Sequence, residues 1–325
     1  MDSKHETIIV TGANGQVGTE LVAGLRAVYG NDAVIATDIS KPAGHERQQG
    51  PFEYLDVLNE TELQRLFERY RPGQVYHLAA ILSATGEKRP QKAWELNMDG
   101  LLHMLRLSVE YTVRQVFWPS SIAVFGPLSP KLNTPQHCIM NPDSIYGISK
   151  LAGERWCEYY AKHHGLDVRS LRFPGLIGWQ SAPGGGTTDY AVHIFHEALK
   201  NKAYTSFLLE NTRLPMMSMP DAIRATLELM QAPKESISIR SSYNIAGLSF
   251  TPAELASAIS EHVPGFRMEY LKDDPRQEIA DSWPESIDDS TARHDWNWKP
   301  AYNLETLTMA MLENISRNRT FVHDL

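Results

Sequence analysis

Cysteine is scarce in this 325-residue chain. It has only Cys138 and Cys157, and neither sits in a Cys-x-x-Cys pair. That excludes a disulfide framework and a zinc knuckle. No apolar run reaches the roughly 18 residues that a spanning helix needs. Positive charge is also short: 31 Lys and Arg stand against 39 Asp and Glu, a net charge of −8. A nucleic-acid groove or a surface for acidic membranes is therefore not expected. There is no internal repeat and no low-complexity tract. Met1 to Glu6 are polar and lack both the apolar core of a signal peptide and an Arg-rich transit pattern. A soluble, reducing, cytoplasmic setting is the expectation.

What is present is a globular composition. Hydrophobic residues make up 42% of the chain, enough for a packed core. The length suits one large α/β unit and a smaller lobe. Short apolar runs read as strands at Glu6 to Gly12, Ala33 to Asp38, Phe52 to Val57, Gln74 to Ala80, Val113 to Ser121 and Asp167 to Gly175. Helical periodicity falls between them at Gln16 to Tyr29, Asn59 to Tyr70, Pro90 to Glu110 and Tyr146 to His164. This alternation predicts a doubly wound parallel Rossmann sheet with helices on both faces. The rhythm changes after Leu176. Residues 1–175, with about 214–247 returning to them, are expected to form the dinucleotide domain. About 176–213 and 248–325 are expected to form a smaller α/β substrate lobe.

Thr11-Gly-Ala-Asn-Gly-Gln-Val-Gly18 lies between the first strand and the first helix. Gly12 permits a tight turn, Gly15 lets backbone approach a pyrophosphate, and Gly18 lets helix and strand pack closely. The helix start offers free N–H groups to phosphates, which brings Asn14, Gln16 and Val17 into a cofactor site. Asp38 closes the second strand and can accept hydrogen bonds from an adenosine ribose. It would repel a 2′-phosphate, and Thr37 to Ser40 contain no arginine, although Lys41 is close. NAD is expected over NADP, with Ile39 beside the adenosine. Asp56 and Val57 are expected at the end of the third strand, near an adenine. Leu78, Ala79 and Ala80 are expected at the end of the fourth, leaving room for the dinucleotide.

Tyr146-Gly-Ile-Ser-Lys150 opens a helix, so the phenol and the ammonium can face one volume. A cation beside a phenol favours the phenolate and lowers its pKa, and a tyrosine so tuned can exchange a proton near neutral pH. By itself the pattern is also what a surface helix shows by chance. The glycine motif is the independent second signal.

With the serine pair Ser120-Ser121 after the fifth strand, these motifs resemble those of the extended short-chain dehydrogenase/reductases. The resemblance implies a catalytic serine, tyrosine and lysine. Alignment on Ser-Ser-Ile-Ala-Val-Phe-Gly126 matches the serine to Ser121, with Ser120 as the neighbouring alternative. The segments 119–127, 183–191, 212–217 and 281–290 are similar to the L-threonine 3-dehydrogenase branch of that family, and the likeness runs through essentially the whole chain. It implies NAD-dependent oxidation of L-threonine to 2-amino-3-oxobutyrate. It also implies a homodimer joined through the helices near 90–110 and 146–164. In this reading Tyr146 is the base, Ser121 steadies the substrate oxygen, and Lys150 lowers the tyrosine pKa and reaches the nicotinamide ribose. Asn97 connects a proton path to solvent. Phe173 to Ile177, Leu176 among them, contact the carboxamide.

A small zwitterionic substrate needs hydrogen-bond donors. Gly184 to Thr188 can supply backbone N–H groups and hydroxyls, with Gly186 and Thr187 at the centre, and Ser83 can add another. The same glycines also suit a plain hinge. Trp283 is expected to pack the smaller lobe rather than wall the pocket. No metal is expected: His193 and His196 share a helix without a third ligand. The competing activity is a nucleotide-sugar epimerase or dehydratase, which must hold a diphosphate with Arg or Lys. Residues 176–213 offer Lys200, Lys202 and Arg213. A non-catalytic NAD-sensing regulator is the other alternative, and the tyrosine–lysine pair weighs against it.

Overall fold

The computed structural model describes residues 6–41, 50–180 and 185–323, with side chains to residue 317. The central sheet takes β1 (Ile8–Thr11), β2 (Val34–Asp38), β3 (Phe52–Tyr54), β4 (Gln74–His77) and β5 (Gln115–Phe117). After β6 (Ser120–Ser121), β7 (Asp167–Arg169) completes it. The order is β3-β2-β1-β4-β5-β7 and every pairing is parallel. β1 is buried along its whole length, as a central parallel strand covered on both faces must be.

Two small sheets extend this core. β8 (Leu171–Phe173) pairs in parallel with β6 and, further on, with Tyr243–Asn244. β9 (Gly175–Ile177) pairs with β10 (Leu214–Ser218). The single strands expected over Val113 to Ser121 and Asp167 to Gly175 are therefore each broken. Pro119 and Pro174 sit at or beside the breaks, where a proline has no N–H to give a ladder. Each break lets the chain leave the main sheet and carry its next residues over the carboxyl edge. β3 and β4 also end early, so Asp56, Val57 and Leu78 to Ala80 lie in the turns that follow them.

Up to residue 231 the α-helices are α1 (Gln16–Tyr29), α2 (Glu60–Tyr70), α3 (Ser83–Glu87), α4 (Pro90–Trp94), α5 (Gly100–Glu110), α6 (Ile145–His164), α7 (Tyr190–Asn201) and α8 (Met219–Gln231). The single helix expected from Pro90 to Glu110 carries a π-helical turn at Glu95–Asp99, between α4 and α5. Such turns are single insertions that re-aim side chains, and this one holds Asn97. α1 packs on α8 through Gly24, where an added Cβ would meet Ile223. Ile194, Phe195, Leu214 and Met216 build a further core with Phe250, Leu255, Ile259 and the buried Trp283. Among the described residues, no helix is long and apolar enough to cross a membrane.

Candidate active site

The glycine loop is shaped by close approach. Gly12 has φ +68°, and a Cβ there would lie 2.7 Å from the Ala79 nitrogen. Only glycine fits such a left-handed position against a neighbouring strand. A Cβ at Gly18 would enter the space of the Gly12 carbonyl. The Asp38 carboxylate accepts from the Asn14 backbone N–H at 3.0 Å, and from the Ser40 N–H and hydroxyl. It thus ties the end of β2 to the glycine loop while Ile39 stays exposed. Among the described residues, the buried Nε2 of Gln16 has no hydrogen-bond partner. Together, the open start of α1, the glycine cradle, the orphaned amide and the strand-end carboxylate fit a dinucleotide. Val17 lies half-buried beside them. Asp56 turns its carboxylate onto the Leu58 N–H, and Val57 is buried.

Ser121, Tyr146 and Lys150 meet at the carboxyl edge of β4 and β5. Ser144 caps α6, its hydroxyl accepting from Gly147 N at 3.1 Å, so Tyr146 stands in the first turn and Lys150 one turn on. α6 crosses Trp118 closely enough that any side chain at Gly153 would strike the indole. Lys150 is buried; its Nζ donates to the Pro119 carbonyl at 2.6 Å. That nitrogen lies 4.4 Å from the Trp118 ring centroid and 5.6 Å from that of Tyr146.

The electrostatics differ from the sequence expectation. Burial pushes the Tyr146 phenol up to about 12, and the Ser121 hydrogen bond only partly opposes it. Burial likewise brings Lys150 down to about 7, against the pull of Cys157 and Glu154. Desolvation is thus the largest effect on both groups. His77, at the end of β4, is pushed down to about 3 by burial and by Lys150. It is a neutral imidazole whose Nδ1 meets the Thr11 hydroxyl at 2.8 Å.

Asn97 is a clamp. Its side-chain oxygen accepts from Ile81 N at 2.8 Å, and its amide donates to Ile81 O and to the Ser149 hydroxyl. Ser149 in turn donates to the Tyr146 carbonyl. The side chain ties the segment after β4 to α6.

Across the cleft, the buried Ser83 and Thr187 hydroxyls lie 3.3 Å apart. The Gly185 and Gly186 N–H groups do not face an open anion site: both donate to the Asp189 carboxylate, at 2.8 and 2.7 Å. Gly184 lies outside the described residues. Burial raises the Asp189 pKa, opposed by those two N–H bonds. The backbone donors expected for a substrate carboxylate thus serve an internal turn, and Thr187 is the group that turn delivers. Asp189 escaped the sequence reading. Its signal is its place three and four residues after two glycines, where an aspartate oxygen can gather the N–H groups of the preceding turn. Leu176 lies half-buried in β9, between buried Gly175 and Ile177.

The model of the NAD dependent epimerase/dehydratase family matches residues 8–246. The chain belongs to that family. Membership brings NAD as cofactor and a parallel Rossmann-type sheet. Among its relatives is an uncharacterized epimerase/dehydratase of Staphylococcus saprophyticus, 48% identical over 95% of this chain and 96% of its own. Among solved structures, the GalE-like L-threonine dehydrogenase of Cupriavidus necator in its holo form is 54% identical, with a TM-score of 0.92 over 95% of this chain and 99% of its own. The L-threonine dehydrogenase of Clostridium difficile is 44% identical, with a TM-score of 0.93 over 97% and 98%.

Proposed function

We propose that the chain oxidises L-threonine at C3 to 2-amino-3-oxobutyrate. The observation that carries this is a family member whose Ser121, Tyr146 and Lys150 share one buried corner. Whole-chain likeness to L-threonine dehydrogenases points the same way. Bound NAD supplies the hydride acceptor and a positive ring charge. The Tyr146 phenolate removes the proton from the threonine hydroxyl, and Ser121 hydrogen-bonds the same oxygen as it becomes a ketone. Lys150, held on the Pro119 carbonyl, favours the phenolate once protonated. The Gly12 loop, Asn14, Gly15, Gln16 and Val17 hold the diphosphate. Asp38 and Ile39 hold the adenosine ribose, Asp56 and Val57 the adenine, and Leu78, Ala79, Ala80 and Leu176 line the groove.

In this reading 1–175 with about 214–247 hold the cofactor, and the remainder forms the substrate lobe. Ser83, Thr187 and Gly186 shape the threonine site. A diphosphate-binding epimerase is less well supported. Arg213 is engaged by the Ser249 carbonyl and Glu254, and Lys202 by the Pro264 carbonyl. The same reading makes the protein a homodimer through α6 and its neighbours, where Trp94, Ile148, Trp156 and Tyr159 are exposed. The test is NADH formation with L-threonine, L-allo-threonine and UDP-glucose in parallel. Reduction with L-threonine alone supports the reading. Isomerisation of UDP-glucose without net reduction overturns it.

A further inference from the structure

Below the tyrosine–lysine pair, α6 presents a third polar side chain at the same spacing. Tyr146, Lys150 and Glu154 are four residues apart and form one stripe along the helix. Glu154 is fully buried. Its carboxylate accepts from Arg172 Nε and Nη2, both at 2.8 Å, and from the Ser120 hydroxyl at 2.6 Å. Arg172 is equally buried on β8, and its Nη1 donates to Gln136 O and Asn244 Oδ1 at 3.0 Å each. A charge pair so desolvated is not needed for packing; apolar residues of similar volume can be equally stable. What the pair does hold is Ser120. Pro119, Ser120 and Ser121 run consecutively: the first gives Lys150 its acceptor, the second is pinned by Glu154, and the third meets the Tyr146 phenol.

We propose that Glu154 is a positioning residue for the Ser121–Tyr146–Lys150 group, acting through Ser120 and through its negative charge one turn below Lys150. This rests on the dehydrogenase reading above and extends it past the three residues of the family motif. The groups facing Lys150 are Tyr146, Glu154 and Cys157 on its own helix and His77 on β4. Arg172 faces Glu154 from β8, and Arg155 flanks it at 3.9 Å. Glu154 favours the protonated amine, so removing its charge lets Lys150 lose its proton at lower pH. Freeing the Arg172 charge acts in the same direction.

The test uses Glu154→Gln and Ser120→Ala in the full-length protein with NAD. For Glu154→Gln the alkaline limb of kcat moves to lower pH by about one unit. The value of kcat falls about tenfold, and KM for L-threonine and Kd for NAD change less than twofold. Ser120→Ala removes no charge, so its limb stays in place while kcat falls a few-fold. NMR titration of labelled lysine, with the Lys150 signal assigned by Lys150→Met, needs no substrate. A downward shift in Glu154→Gln appears there even if the parent does not oxidise threonine, which separates failure of the functional reading from failure of this one. A parent-like kcat and Lys150 titration in Glu154→Gln overturns the proposal. If Glu154→Gln does not fold, a parent-like kcat in Ser120→Ala overturns it.

Discussion

Ser83 and Thr187 stand 104 positions apart in sequence, yet their hydroxyls meet at 3.3 Å. One follows the fourth strand of the Rossmann sheet, and the other leaves a glycine turn in the segment after β9. Their contact joins the segment after β4 to the turn before α7. Thr187→Val keeps the shape and deletes the hydroxyl. KM for L-threonine is expected to rise about tenfold, the cost of one buried hydrogen bond. Kd for NAD, measured by fluorescence titration, is expected to stay constant. An unchanged KM contradicts the placement.

The turn that delivers Thr187 depends on Asp189, which gathers the Gly185 and Gly186 N–H groups. Both donors bond the same carboxylate oxygen, so Asp189→Asn leaves the two of them with at most a neutral acceptor. Loss of charge-assisted bonds of this kind costs about 1.5–3 kcal/mol, expected as a ten- to hundredfold loss in kcat/KM. Melting temperature would fall by only a few degrees. A parent-like kcat/KM would show that the turn does not govern the substrate site.

Cofactor choice rests on Asp38. Its carboxylate already binds the Asn14 N–H and Ser40, leaving negative charge where a 2′-phosphate would lie. Asp38→Ala is expected to raise KM for NAD and to narrow the NAD-to-NADP preference at least about tenfold, in rates measured with each cofactor. A preference that does not move would place the ribose elsewhere.

Glu20, buried on α1, carries a pH signature. Burial alone raises its pKa to about 7 from an ordinary value of 4.5. A group whose folded pKa is raised contributes stability below its unfolded pKa. That contribution is lost as pH rises from about 4.5 through 7. Glu20→Gln is therefore expected to raise the stability of the cofactor-free protein at pH 8, by up to about 3 kcal/mol, and to leave it little changed at pH 4.5. Denaturant unfolding at the two pH values checks this. Equal gains at both would mean that the effect is packing rather than charge.

The sequence carried the parts of the fold that obey a local rule. The glycine spacing, the strand–helix alternation and the tyrosine–lysine step depend on neighbours within a few turns, and all of them fold as read. Most of what was missed depends on distant partners. The breaks at Pro119 and Pro174 follow from which sheet each half-strand joins. The π-helical turn holds Asn97, whose partner Ile81 lies in the segment after β4, 16 positions earlier. Spacing reports the lysine beside the phenol but not the loss of water, and burial raises the phenol in the structure. Glu154 is legible only in three dimensions because its partner is the buried Arg172 on another strand; Asp189 has local partners, three and four residues back, and its signal lies within the segment.

The central claim is that Tyr146 removes the hydroxyl proton as hydride leaves C3 of threonine. Single-turnover reduction of NAD by L-threonine deuterated at C3, in the parent and in Tyr146→Phe, tests it most directly. The account predicts deuterium transferred to the reduced cofactor by the parent, and a loss of about 10²-fold or more in Tyr146→Phe, with NAD still bound. Equal rates in the two proteins, or reduced cofactor free of deuterium, would contradict it.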